Sequence, residues 1–300
     1  MGLVTRDAGK GRARGGSPGR PRVIRKRFGQ HFLAPAWAQK VVDAIAPAAG
    51  DIFLEIGPGT GALTLPLAAA KVTILGVEID RDLAADLAMR SPAHVTIVTG
   101  DFLHADVIPF LAGLEPQRTP AAHDVHRPRR FRVVGNVPYN VSSPIIFRVI
   151  ELQRQHQLFT DATIMVQREV ADRLVARPGR KEYGVLSVSA QMHTRITKLL
   201  DLPPGAFRPA PIVRSSVIRL AFGPPAARVP DDLLFDRMVR TLFSARRKTL
   251  SNAVKRLDPK GPDALALSGL DGRRRPETLQ VTELARLADC LSIVRRPPVL

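Results

Sequence analysis

The segment Gly135-Asn136-Val137-Pro138-Tyr139 sets an amide, a stiffened backbone and an aromatic ring side by side. Asn136 offers a side-chain carbonyl oxygen as a hydrogen-bond acceptor, and the Val137-Pro138 pair, with proline fixing the backbone, offers a main-chain carbonyl as a second. Two such acceptors suit one difficult nucleophile, the exocyclic amine of adenine, whose lone pair is delocalised into the ring. Accepting both of its N–H bonds at once favours a pyramidal nitrogen with its lone pair free to attack a methyl donor. Tyr139 is placed to stack on the base and hold its plane, a contact worth about 1–3 kcal/mol. No general base is needed before attack, because the amine proton turns acidic only after the methyl has transferred. Positioning and electrostatics carry such a reaction.

A second chemical segment precedes it. The apolar run Ile52-Phe-Leu-Glu55-Ile56 feeds Gly57-Pro-Gly59-Thr-Gly61, a strand leading into a glycine-rich turn and a helix start, where backbone can approach a nucleotide closely. Read as Gly57-x-Gly59-x-x-Ala62 the loop fits a dinucleotide fingerprint, and Glu78 follows 21 residues after Gly57. Any adenosine ribose presents two hydroxyl donors to such a carboxylate, so a nicotinamide dinucleotide and S-adenosylmethionine both satisfy this half of the pattern. Gly100-Asp101-Phe102 adds a carboxylate at the end of the next strand, suited to an adenine amino group. The Asn136 to Tyr139 segment then separates the two readings in favour of methyl transfer.

These residues need elements to hold them. Apolar residues at helical spacing (Trp37, Val41, Val42, Ile45) predict a first helix, and the runs 52–56, 72–79, 95–98, 131–134, 162–166 and 195–200 predict strands. Helical stretches at 62–70, 82–89 and 144–152 lie between them, so the expected fold is an α/β, Rossmann-like, doubly wound parallel sheet covered on both faces. Residues 113–130 are rich in Pro, Arg and His and read as a surface loop, whose His123 and His126 fall short of a metal-ligand set. After Gly223-Pro-Pro the alternation ends and 231–300 reads as helical, with one basic helix from Phe235 to Leu257 carrying Arg246, Arg247 and Lys248. The expected division is a basic extension at 1–24, a catalytic domain at 25–224 and a smaller all-helical RNA-binding domain at 225–300.

Charge points to the same partner. Lys and Arg number 45 against 27 Asp and Glu, a net +18, on a chain whose 45% hydrophobic content is enough for packed cores. A folded chain of this sign favours a polyanion, nucleic acid before an anionic membrane. Of the net charge, +8 falls on residues 1–27, where little is apolar; this arm is expected to be disordered alone, as a solubilising extension or an RNA-binding arm, its Gly and Pro disfavouring a presequence helix. No apolar run reaches the length of a membrane span, and a single cysteine, Cys290, excludes a disulfide framework or a zinc-cysteine site. A reducing cytoplasm is the expected compartment.

Over about residues 24–300 the chain resembles the bacterial small-subunit (16S) rRNA adenine N6,N6-dimethyltransferases, the kasugamycin-sensitivity methyltransferase family. The resemblance rests on Arg25-Lys-Arg-Phe-Gly-Gln-His-Phe-Leu33, Leu54-Glu-Ile-Gly-Pro-Gly-Thr-Gly61, Gly76-Val-Glu-Ile-Asp80, Gly100-Asp-Phe-Leu103, Gly135-Asn-Val-Pro-Tyr-Asn140, Tyr183-Gly-Val-Leu-Ser-Val188, Phe207-x-Pro-x-Pro211 and Arg246-Arg-Lys-Thr-Leu250. It implies an S-adenosylmethionine site lined by His31, Leu33, Glu55, Gly57, Gly59, Glu78, Asp101 and Asn136, with Glu78 on the ribose and Asp101 on the adenine amino group. It implies catalytic roles for Asn136, Pro138, Tyr139 and Phe207, the last as a second aromatic sandwiching the flipped target base. It further implies dimethylation of two adjacent adenosines near the 3′ end of 16S rRNA in the 30S particle, late in ribosome biogenesis, by a metal-free monomer.

The chain departs from the family where Pro-Lys-Val-Asp-Ser is usual: it has Pro211-Ile-Val-Arg-Ser215, which puts in doubt any role of the replaced Lys and Asp at the RNA or target loop. Rival readings are a 23S rRNA adenine methyltransferase, an adenine DNA methyltransferase, and a non-catalytic assembly or transcription factor on the same fold. The helical end with Arg246-Arg-Lys-Thr weighs against the first. The intact Gly57 loop, Glu78, Asp101 and Asn136 to Tyr139 segment weigh against the last.

Overall fold

A computed structural model describes residues 31–114 and 131–296. The basic arm at 1–27 and the His123–His126 pair lie outside the described residues. A two-residue strand, β1 (Phe32–Leu33), enters α1 (Pro35–Ile45), and alternation continues through β2 (Ile52–Ile56), α2 (Thr64–Ala69), β3 (Thr73–Glu78), α3 (Arg81–Arg90), β4 (Val95–Thr99) and α4 (Ile108–Gly113). It resumes with β5 (Phe131–Asn136), α5 (Ser142–His156), β6 (Phe159–Gln167), α6 (Arg168–Leu174), α7 (Val185–His193), β7 (Thr194–Leu202), β8 (Phe207–Arg208) and β9 (Ser215–Phe222). Four helices follow: α8 (Asp232–Ser244), α9 (Leu250–Leu257), α10 (Gly261–Ser268) and α11 (Val281–Arg295). No described helix is long and apolar enough to cross a membrane.

Seven strands form one sheet in the order β4-β3-β2-β5-β6-β9-β7. The five from β4 to β6 run parallel, whereas β9 lies antiparallel to both β6 and β7, so the sheet is mixed rather than wholly parallel. The physical reason is the connection: the segment 203–214 that joins β7 to β9 holds the two-residue β8 but no α-helix, and a parallel neighbour is usually reached by a helical crossover. Strand β9 is buried on both faces, Val217 on one and Ile218 and Leu220 on the other, and follows a proline-rich turn that masks it in the sequence.

Side-chain alternation splits the core into two faces. Ile52, Leu54 and Ile56 of β2, Leu75 and Val77 of β3, and Val133 of β5 pack on one face with Ile146 and Val149 of α5. Phe53, Ile74 and Val134 point the other way, onto Val41, Val42 and Ile45 of α1 and Leu67 of α2. Glu55 shares the parity of Phe53, and Glu78 that of Ile74, so both carboxylates face the α1 and α2 side. Gly135 allows β5 to close on β2, because an added Cβ would sit 2.9 Å from the Ile56 carbonyl oxygen.

Helix α1 has no basic residue in its last turn, and its C-terminal carbonyls are satisfied from afar. Arg132 on β5 donates to the carbonyls of Ile45 (2.8 Å) and Ala46 (3.2 Å) while pairing with Asp161 through two bonds of 2.9 Å and with Asp51 at 2.9 Å. Arg219 on β9 donates to Ala44 and Ile45. Arg132→Ala would strand Asp161, whose side chain is 11% exposed, without its main partner. The expected loss is about 3–5 kcal/mol of stability, read as a lowered urea midpoint.

A third core joins α8 to α11 and includes Tyr183, Val188 and Met192, the last two from α7, so the helical end shares its core with residues before position 225. The Tyr183 hydroxyl donates to the Leu279 carbonyl at 3.0 Å, and its ring meets Phe243 edge-on. Arg154 of α5 pairs with Asp232 at 2.6 Å and Asp236 at 3.4 Å on α8. The single basic helix expected from Phe235 to Leu257 is two helices, broken at 245–249. Continued without a break, the stripe of Phe235, Met238, Val239 and Leu242 would bring Arg246 into the core. The chain instead turns and bonds to another segment, Leu250 N–H to the Arg274 carbonyl (2.7 Å) and Ser251 N–H to the Gly272 carbonyl (3.0 Å).

Candidate active site

The strand order reverses at β2 and β5: from β2 the chain steps outward through β3 and β4, then returns to β5 on the opposite side. At such a point the loops leaving the carboxyl ends of neighbouring strands part and leave a crevice. Here the loops after β2, β3, β4 and β5 line a cavity of about 480 Å³, within the range of roughly 300–1,000 Å³ usual for small-molecule sites. Every residue expected to hold a cofactor lines it: His31, Leu33, Glu55, Gly57, Gly59, Glu78, Asp101 and Asn136. Asn136, Pro138 and Tyr139 occupy the β5 side of the same cavity.

Local chemistry sets each group. Gly57 and Gly59 adopt φ of 66° and 58°, left-handed values that favour glycine, and so turn the chain sharply after β2. That turn delivers the Gly59 N–H to Glu78 Oε2 at 2.8 Å, while the Asp80 N–H reaches Oε1 at 2.9 Å. Glu78 is thereby fixed with one backbone donor on each oxygen and further lone pairs free for a ligand. Burial pushes its carboxyl above the ordinary carboxylate range, and the two backbone bonds pull it partly back. Asp101 is oriented by the Leu103 N–H and by His104, both at 3.0 Å.

Glu55 is the other buried acid. It is 2% exposed, and its Oε2 has no hydrogen-bond partner within the protein. Burial drives its carboxyl up to about 8; the nearby Thr64 hydroxyl lowers it and the charge on Glu78 raises it. The sign of the stability effect follows. The folded state keeps a proton that the unfolded chain sheds above its ordinary value of 4.5. The resulting stability is complete below that value and is lost as pH rises through about 8. The wild type is therefore expected to lose a few kcal/mol between pH 5 and 8.5, with Glu55→Gln distinctly flatter over the same window, in urea midpoints measured across pH.

The Asn136 amide is oriented by a bond that also ties down the N-terminal strap. Its Nδ2 donates to the His31 carbonyl at 2.8 Å, which leaves Oδ1 as the acceptor toward the cavity. The Pro138 carbonyl accepts from the Val141 N–H at 3.1 Å, so of the two main-chain carbonyls in this segment that of Val137 is the one available, among the described residues, to an incoming amine. The strap pairs β1 with β8, setting Phe32 opposite Arg208 and Leu33 opposite Phe207, and the Phe32 ring lies against Gly59.

Tyr139 is held on two sides. Its hydroxyl and Ser215 Oγ are 2.5 Å apart, and its ring stacks on the His31 imidazole with centroids 5.6 Å apart and planes at 23°. Phe207, expected to be the second aromatic on the target base, is instead fully buried beside Phe53, Leu202 and Val217 and does not line the cavity. Strand alternation in β8 turns it inward and Arg208 outward, and burying such a ring is worth about 1.5–3 kcal/mol. The aromatic that meets Tyr139 is His31.

Sequence reasoning missed several lining residues, among them Phe32, Ile79 and Phe102. Their only sequence signal was adjacency to His31, Glu78 and Asp101. Ser215 carried none, since its tie to Tyr139 spans 76 residues. Arg246, Arg247 and Lys248 do not line the cavity; they form the turn between α8 and α9, with Arg247 and Lys248 exposed and Arg246 donating to the Lys181 carbonyl at 3.2 Å.

Comparison with known proteins places this arrangement. The sequence profile of the family described as "Ribosomal RNA adenine dimethylase" matches residues 22–292. The "Ribosomal RNA small subunit methyltransferase A" of Aromatoleum aromaticum is 42% identical over 272 residues, covering 89% of this chain and 94% of the relative. Among solved structures, a dimethyladenosine transferase from Plasmodium falciparum superposes with a TM-score of 0.64 at 22% identity, over 86% of this chain and 96% of that one. The 23S rRNA methyltransferase ErmE gives 0.61 at 24% identity, over 87% and 99%. At those identities the two structures speak to the fold, a Rossmann-like methyltransferase sheet with a helical C-terminal part. The family match and the long alignment go further: the chain belongs to the ribosomal RNA adenine dimethylase family.

Proposed function

We propose that this protein is an S-adenosylmethionine-dependent rRNA adenine N6,N6-dimethyltransferase, acting on two adjacent adenosines near the 3′ end of 16S rRNA in the 30S particle as a late step of ribosome biogenesis. The observation that carries the reading is the Asn136 amide, locked by His31 with its oxygen toward a cavity that also holds Glu78 and Asp101. The name of the Aromatoleum relative supports the small-subunit substrate.

The residues fit the cofactor chemically. Glu78 offers oxygens to two vicinal hydroxyls, Asp101 accepts from an adenine amino group, and the unpartnered Glu55 Oε2 suits a cationic or hydroxyl donor. S-adenosylmethionine, when bound, supplies an electrophilic methyl on a sulfonium. Asn136 Oδ1 and the Val137 carbonyl hold the target amine by its two N–H bonds, and Tyr139 aligns the base. After transfer the methylated nitrogen sheds one proton to solvent, and in a second round its single remaining N–H engages one of the two acceptors while the other is left without a donor. Residues 25–224 would house this chemistry, and 225–300, with Arg246, Arg247 and Lys248, would hold RNA phosphates. The protein would work as a monomer in the cytoplasm.

A non-catalytic factor on the same fold is disfavoured by the two buried carboxyls. Burying Glu55 and Glu78 costs folding energy that apolar residues would not, and a ligand with matching donors is what offsets it. The test is transfer of labelled methyl from S-adenosylmethionine to undermethylated 30S particles, naked 23S rRNA and duplex DNA. Label as N6,N6-dimethyladenosine in the 30S sample is expected; label confined to 23S rRNA or DNA, or none at all, overturns the proposal.

A further inference from the structure

We infer that Ile212, at the tip of the 209–214 loop, is a substrate-contacting wedge that fills the gap left in the RNA strand when the target adenine turns out into the cavity. This rests on the proposed rRNA reading and adds to it a specificity-determining residue. A lone exposed isoleucine is ordinary on a protein surface. This one is fully exposed, its side chain as open as in an extended peptide at 101%, and its neighbour Val213 is 42% exposed.

The loop that carries it is pinned rather than loose. At its start the Pro209 carbonyl lies 2.7 Å from His31 Nδ1, the imidazole stacked on Tyr139. At its end the Arg214 carbonyl accepts from the Arg168 N–H at 2.9 Å, and Ser215 Oγ meets the Tyr139 hydroxyl. Pro211 is buried beneath the tip. Two of these anchors, His31 and Ser215, are the residues that hold Tyr139, so both ends of the loop that carries Ile212 are tied to a ring that lines the cavity.

The occupant follows from the chemistry around it. Arg208 and Arg214 flank the tip and are exposed, and Arg168 is half-exposed. Two apolar side chains bury too little area for a stable protein interface, whereas arginines beside a branched apolar side chain match phosphates beside a base step. Unstacking a nucleotide is costly, and an inserted apolar side chain that stacks on the remaining neighbour recovers part of that cost.

The test uses the full chain with Ile212→Ala, Ile212→Asp and Ile212→Leu. Each is assayed for methyl transfer to undermethylated 30S particles, for S-adenosylmethionine affinity by calorimetry, and for the fluorescence rise of 30S particles carrying 2-aminopurine at the target position, which reports unstacking. The expected result is a drop of about tenfold in kcat/KM and a weakened fluorescence rise for the alanine and aspartate variants. Leucine should retain both, and cofactor affinity should stay within about twofold throughout. Transfer and fluorescence unchanged in both alanine and aspartate variants would overturn the wedge while leaving the enzyme reading intact. A wild type that labels no 30S particle would overturn the enzyme reading itself.

Discussion

Replacing Asn136 with alanine is expected to lower methyl transfer by at least about 10²–10³-fold while leaving cofactor binding measurable. The side chain has two separable tasks. Its Nδ2 bonds the His31 carbonyl at 2.8 Å and so ties the strap to β5. On the proposed mechanism its Oδ1 accepts from the target amine, and only that oxygen would bias the nitrogen toward a reactive geometry. Asn136→Asp separates the tasks: it keeps an acceptor but sets an oxygen against the His31 carbonyl, so the strap should loosen and cofactor affinity fall beside turnover. Alanine removes the Asn136 side of both bonds but, unlike aspartate, sets no oxygen against the His31 carbonyl. Its signature is a collapse of kcat with cofactor affinity reduced far less, measured by single-turnover kinetics on 30S particles and by calorimetry. Retained turnover in Asn136→Ala would sink the amine-acceptor role.

The gathering of the candidate site residues around one cavity was legible because they sit at strand ends. Each of Gly57, Glu78, Asp101 and Asn136 follows an apolar run, and a sheet aligns the ends of parallel strands at one rim whatever the intervening helices do. Sequence distance is then irrelevant, and a one-dimensional pattern suffices. What failed were contacts that depend on a change of direction. The antiparallel β9 lay behind a connection that holds no α-helix, so the rule of alternation gave no sign of it.

The burial of Phe207 is hidden from the sequence for a related reason. It sits in Phe207-x-Pro-x-Pro211, and only the pairing of β8 with β1 decides which of Phe207 and Arg208 faces the core. A two-residue strand carries no periodicity from which to read its facing. In the basic turn at 246–248 local propensity likewise favours helix, while the break is imposed by bonds to 272–274, some twenty-five residues further along the chain.

Glu78→Ala is expected to weaken S-adenosylmethionine binding by about 10²-fold or more, the loss of two hydrogen bonds to a charged acceptor. The argument turns on what the carboxylate does in both directions. Inward, it accepts the Gly59 N–H at 2.8 Å and the Asp80 N–H at 2.9 Å, and so holds the glycine loop against the end of β3. Outward, on the proposed reading, its remaining lone pairs would meet the ribose. Glu78→Gln would therefore not be mild, because its amide would turn a donor toward one of those two N–H groups and leave that group unpaired beside the cavity. A cofactor analogue lacking the ribose 2′-hydroxyl resolves the two functions. It should bind the wild type less tightly than the parent compound, yet bind Glu78→Ala about as well as the parent does, since the partner of that hydroxyl is already gone. An equal penalty for the analogue in both proteins would mean that Glu78 only braces the loop. Acid should act in the same direction as the substitution. With its carboxyl above the ordinary range, Glu78 takes up a proton earlier than an exposed glutamate as pH falls, and affinity declines as it does so. In Glu78→Ala that part of the pH dependence should vanish.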